Sequence, residues 1–92
     1  MNWKIIWTQA AREDYSELLI YVEKTYGSKA AEKLFDKVEK TLQNISAFPR
    51  LFPKSKKING FKAVVTKQTS IIYLIGDSEV FIVRFKDNRM EE

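Results

Sequence analysis

Five lysines and no acidic residue lie between Lys54 and Lys67, and Arg84, Lys86 and Arg89 close the last hydrophobic run of the chain. Ammonium and guanidinium groups bind anions, so the grouping of Lys54, Lys56, Lys57 and Lys62 favours a polyanion or an acidic protein as partner. An ordinary solvated loop has the same composition. Arg84 is more telling. It stands in an otherwise apolar run, where an unpaired arginine is costly to bury. Either it pairs with an acid such as Asp87 or Glu92, or it faces a ligand. Asp87 and Arg89 read equally as a local ion pair and as part of a site. The chain has no cysteine and no histidine. That removes disulfides, thiolate metal sites, the usual zinc ligand and the usual general base near neutral pH. Neither a metal nor a cofactor is expected.

The elements that position these cations can be read in order. Trp3–Trp7 predicts a short strand with Trp3, Ile5 and Trp7 on one face. Thr8 is placed to cap a helix that runs to about Tyr26, its apolar stripe being Ala11, Tyr15, Leu18, Leu19, Val22 and Tyr26. Gly27 suits a helix end and Ser28 a second N-cap. The second helix, about Lys29 to Ala47, carries Ala31, Leu34, Phe35, Val38, Leu42 and Ile45 at spacings of three and four. Leu34, Phe35, Val38 and Leu42 are expected in the core. Phe48-Pro49 ends it, and Lys54–Gly60 forms a basic loop.

Three antiparallel strands follow, about Phe61–Thr66, Thr69–Ile75 and Glu79–Lys86, with Gly76-Asp77-Ser78 as a strong turn signal. Alternation in the last strand predicts Phe81, Val83 and Phe85 on the core face, with Val80, Ile82, Arg84 and Lys86 opposite. Tyr73, among Ile71, Ile72 and Ile75, reads as core. The order is β-α-α-β-β-β, an α+β fold with a helix hairpin packed on an antiparallel sheet. The tail Asp87–Glu92 is polar and expected to fray.

Ninety-two residues make a single domain, 1–92. The net charge of +4 is uneven. Met1–Pro53 holds eight Lys/Arg against seven Asp/Glu, and Lys54–Glu92 eight against five. No run approaches the roughly 20 apolar residues of a membrane-spanning helix. A cytoplasmic protein with no membrane partner is expected.

In order and spacing, these residues resemble the RelE/ParE superfamily of toxins from bacterial type II toxin–antitoxin systems, over nearly the whole chain. Ala11-Arg12-Glu13-Asp14-Tyr15 is similar to the family's A-x-x-D-[LI] helix opening. Tyr26-Gly27, Ala30-Ala31 and Phe48-Pro49 follow at matching places. Ile71-Ile72-Tyr73 resembles its [IV]-x-Y core strand, and Phe85-Lys86-Asp87-Asn88-Arg89 its strand end with D-x-R.

The resemblance implies a small basic toxin of the plasmid-stabilisation type, held by a cognate acidic antitoxin and arresting growth when released. RelE-like members cleave messenger RNA in the ribosome, whereas ParE-like members poison DNA gyrase. Cleavage through the RNA 2′-hydroxyl needs a proton acceptor, cations for the phosphorane and an acid for the leaving oxygen. Arg84, Lys62 and Lys54 would carry it in a nuclease. Lys54, Lys56, Lys57, Lys62, Arg84, Lys86 and Arg89 would bind antitoxin or nucleic acid in either case. The chain departs from the nuclease pattern: Phe61-Lys62 stands where those enzymes carry an arginine, and there is no C-terminal Tyr or His-Tyr. The departures favour the ParE-like role over the RelE-like one. The third alternative is a toxin fold without activity that only binds an antitoxin.

Overall fold

The computed structural model describes residues 2–57 and 59–90. Helix α1 (Gln9–Tyr26) begins where the Thr8 Oγ1 accepts the Ala11 N–H at 3.1 Å, as its sequence position predicts. The same hydroxyl donates to the Ile82 carbonyl at 2.9 Å, so the helix start is fastened to the last strand. Helix α2 (Ser28–Ala47) follows after one residue. Gly27, at φ 100° and ψ 167°, both ends α1 and caps α2. The expected Ser28 cap is therefore corrected. A glycine at positive φ reverses the chain in a single step, which leaves Ser28 already inside the helix.

Four strands form one sheet: β1 (Lys4–Trp7), β2 (Phe61–Val64), β3 (Thr69–Ile75) and β4 (Glu79–Asp87), in the order β1-β4-β3-β2. The last three strands are antiparallel neighbours, and β1 runs parallel to β4. A parallel pair is open to β1 because the whole helix hairpin lies between it and the sheet it joins. β2 is shorter than expected. Pairing stops at Val64↔Ser70, and Thr66 Oγ1 turns the chain by accepting the N–H groups of Gln68 and Thr69, both at 3.1 Å.

Register overturns the predicted faces of β4. Ile72 stands opposite Arg84 but Tyr73 opposite Ile82, so Val83 is an extra residue in a β-bulge. A bulge shifts the alternation by one, and everything beyond it changes face. The core face of β4 is Val80, Ile82, Phe85 and Asp87, all buried, while Phe81 lies on the other face and Val83 is half-buried. Arg84 and Lys86 keep their expected outward side.

The helix hairpin covers the inner face. Leu18, Val22, Leu34, Val38, Leu42 and Ile45 meet Ala63, Ile71, Tyr73, Val80, Ile82 and Phe85. Trp7 and Tyr15 stack on Phe85, with ring centroids 5.4 and 4.8 Å away. Phe35 is not in this core; it is 46% exposed. It sits about 100° around α2 from Leu34 and lines a shallow depression with Leu19, Ile20 and Ala31 on the outer side of the hairpin instead. Among the described residues, no helix is long and apolar enough to cross a membrane.

Candidate functional site

The outer face of the sheet is built in cross-strand rows. Lys62, Ile72 and Arg84 form one, and Val64, Ser70 and Lys86 the next. The basic loop folds over this face. Lys54 bridges to Phe61, the Lys62 N–H donates to the Pro53 carbonyl at 2.9 Å, and the Ser55 N–H to the Gly60 carbonyl at 2.7 Å. Gly60 permits the close approach, since a Cβ there would lie 2.8 Å from the Tyr73 carbonyl oxygen.

The result is a groove of about 470 Å³ with Lys54, Lys56, Lys57, Lys62 and Lys86 on its walls and Ser70 and Ile72 in its floor. Ile72 is 1% exposed, so the floor is firm. Among the described residues, no acidic side chain lines the groove. Five ammonium groups around one concavity raise the local potential and concentrate anions there.

Arg84 stands in the groove's cross-strand row but is turned away from it. Its Nε and Nη2 donate to Oδ2 and Oδ1 of Asp14 at 2.8 and 3.0 Å, a two-pronged match of guanidinium and carboxylate. The predicted choice between Asp87 or Glu92 and a ligand is thus corrected: the partner is Asp14, 70 positions away in sequence. Glu92 lies outside the described residues. Asp14 also accepts the Phe85 N–H at 3.0 Å, on the flank of β4 that lies beyond the end of β1. Its hydrogen bonds and charge raise the Arg84 pKa further above its already high value.

Asp87 and Arg89 form a separate cluster. The Asp87 carboxylate is buried and accepts from the Thr69 hydroxyl at 2.5 Å, and from the Arg89 N–H, Nε and Nη2 at 2.9, 3.0 and 2.7 Å. Burial alone would raise its pKa, but the Arg89 and Thr69 donors outweigh it and hold the carboxyl below the usual range. The Arg89 guanidinium also lies over the Tyr26 ring, 5.4 Å from its centroid. So Arg89 is bound locally and takes no part in the groove. Tyr73 points inward, as expected, and its hydroxyl donates to the Pro49 carbonyl at 2.6 Å.

The fold therefore brings together Lys54, Lys56, Lys57, Lys62 and Lys86, holds Arg84 at their margin, and separates Arg89 from them. Asp14 was missed as a functional residue. Its only sequence signal was a place in the A-x-x-D pattern, which says nothing about its partner. Among the described residues, no group of three or more His, Cys, Asp or Glu could hold a metal ion.

A family described as the ParE toxin of the type II toxin–antitoxin system parDE matches residues 5–92. The chain belongs to this family. No curated protein matches the sequence. Among solved structures, a chain of the chromosomal ParDE system of P. aeruginosa superposes with a TM-score of 0.77 at 15% identity, over 92% of this chain and 95% of that one. A YoeB/ParE toxin from Agrobacterium tumefaciens gives 0.67 at 15% identity, over 91% and 96%. The toxin–antitoxin complex RelBE2 of Mycobacterium tuberculosis gives 0.65 at 20%, over 95% and 99%. At these identities the likeness concerns the fold, and it bears out the RelE/ParE architecture read from the sequence. The ParE-family assignment makes the chain the toxin of a type II module.

Proposed function

We propose that this ParE-family toxin arrests growth in the cytoplasm by binding a target such as DNA gyrase through its lysine groove. A cognate acidic antitoxin keeps it silent by covering that face. The observation that carries this reading is the groove itself: five lysines around Ser70 and Ile72, with no carboxylate among the described residues that line it. Such a surface suits association with an anionic partner. The Tyr73 hydroxyl, which could otherwise have served as the acid that a nuclease needs, donates to the Pro49 carbonyl inside the core. Arg84, the candidate phosphorane-stabilising cation, is engaged by Asp14.

One observation favours the RelE-like alternative, in which Arg84, Lys62 and Lys54 would serve messenger RNA cleavage. Lys62 and Arg84 flank Ile72 in a single cross-strand row. Purified protein incubated with gyrase in a supercoiling assay, beside programmed ribosomes with mapped messenger RNA ends, separates the two. Blocked supercoiling with intact messenger RNA is the expected result. Mapped cleavage with normal supercoiling overturns it. An antitoxin partner is in keeping with the ParDE and RelBE2 systems of the structural relatives. Coexpression with the adjacent gene product should give a complex that stays together at micromolar concentration; separate elution would sink that part of the proposal.

A further inference from the structure

The Arg84 position is built for the groove, and its side chain is withheld from it. On β4 it shares the outer face with Lys86, two residues on, and Lys86 lines the groove. Neighbours two apart on a strand are separated by about 7 Å, which a guanidinium on its flexible stem spans. Asp14 holds the fork elsewhere, over a second depression shared by Asp14, Glu17, Arg84 and Lys86. That carboxylate is not free to swing with Arg84. Its Oδ2 is fixed by the Phe85 N–H, at a strand flank that α1 reaches only near its start. The Arg84 side chain is nevertheless 52% exposed, and among the described residues its one ion pair is with Asp14.

We propose that Asp14 is a positioning residue that holds Arg84 out of the lysine groove and so sets how many cations the face presents to an anionic partner. The inference rests on the reading of the groove as the working surface. On the groove, Asp14 acts only through Arg84; its bond to the Phe85 N–H ties α1 to β4. With the carboxylate in place the pair adds no net charge beside the groove. Without it a sixth cation joins the five lysines.

Each cation that meets a phosphate of a single strand adds about 0.7 to the slope of log affinity against log salt, which is about fivefold in affinity at ~0.1 M salt. The test is fluorescence anisotropy with a labelled single-stranded polythymidine oligonucleotide, titrated across salt concentrations. Asp14→Asn should tighten binding about fivefold and steepen the slope by about 0.7. Asp14→Glu keeps a carboxylate and should restore the wild-type slope. In an Arg84→Gln background, Asp14→Asn should leave the slope where it was, because no guanidinium is there to release. A thermal melt checks folding of each variant. Should Asp14→Asn not fold, Arg84→Lys preserves the Asp14–Phe85 bond and reads the same effect. A lysine cannot match the two-pronged pair, so its slope should rise as well.

An unchanged slope in Asp14→Asn and in Arg84→Lys overturns the inference. So does a steepening that persists in the Arg84→Gln background, which would be a general loss of negative charge. Lys54→Gln, Lys56→Gln and Lys57→Gln combined, measured alongside, tell the two failures apart. If that triple variant binds like wild type, the groove is not the binding surface and the underlying reading fails. If it loses binding while Asp14→Asn changes nothing, only the role of Asp14 fails.

Discussion

On the inner face of the sheet, the buried polar side chains of the strands are matched: Asp87 accepts from Thr69 and Arg89, and the Tyr73 hydroxyl donates to Pro49. The Tyr15 hydroxyl of α1 is the exception, buried without a hydrogen-bond partner among the described residues. On the outer face, five lysines share a groove that no acid among the described residues lines. Both faces are carried by the same three antiparallel strands, often by adjacent residues. Ile71 and Tyr73 point into the core while Ser70 and Ile72 floor the groove. Unpaired like charges add nothing to folding and cost a little through mutual repulsion. Their concentration on one face fits selection for a partner, and the matched inner face supplies the stability that tolerates it. The difference makes opposite demands on substitution, and each face can be probed on those terms.

The largest effect is expected at Asp87. Asp87→Asn keeps the shape but leaves the Arg89 guanidinium without its counter-charge, at a cost on the order of 3 kcal/mol. The pH dependence gives the sign. The folded state holds this carboxyl below its usual range. Its contribution is therefore present above the unfolded pKa of about 3.9 and is lost as pH falls through the folded value. Urea midpoints recorded from neutral pH down through the carboxylate range should fall more steeply for wild type than for Asp87→Asn. Parallel curves would mean that the pair carries no linkage and that the inner face is not matched as described.

A smaller effect belongs to Tyr73. Tyr73→Phe strands a carbonyl that the phenol satisfied, which costs about 1–2 kcal/mol. Burial pushes this hydroxyl up to about 12. A raised folded pKa gives stability that is complete below the unfolded value, about 10, and disappears as pH climbs through the folded one. The wild type should lose stability across that alkaline window, and Tyr73→Phe should lose less of it. An identical alkaline profile in the two proteins would place the phenol outside the core network.

How much of this was legible in the sequence follows the range over which each feature is encoded. Helix α1, the Thr8 cap and the Gly76 turn are local, and their residues declared them. The order of elements and the resemblance of the motifs gave the family architecture. The faces of β4 were not legible, because the Val83 bulge depends on pairing with β3. Phe35 belongs to the same apolar spacing as Leu34 and Val38, and only the angle at which α2 meets α1 decides which of them is covered. The partner of Arg84 was out of reach for a similar reason. Asp14 meets it through the start of α1 packing beside a strand at the far end of the chain. The lysine cluster was visible as composition, and the fold gathers Lys54, Lys56 and Lys57 with Lys62 and Lys86 around one groove beside Ile72.

The smallest effect on stability, and the one that sharpens the contrast most, is expected from Lys54→Gln, Lys56→Gln and Lys57→Gln together. All three side chains are exposed, and exposed substitutions away from caps and pairs usually change stability by less than about 0.5 kcal/mol each. Removing three like charges from one concavity also relieves repulsion. The urea midpoint should therefore stay at the wild-type value or rise slightly, while the proposed inhibition of gyrase supercoiling should be lost. That combination, function without stability, is the reverse of Tyr73→Phe, which should weaken folding and leave inhibition intact at temperatures where the protein is folded. Suppose instead that the triple variant unfolds more easily by several tenths of a molar urea. Then the lysine stems pack the loop onto Ile72 as structural cover, and the outer face is a second stabilising surface rather than one reserved for a partner.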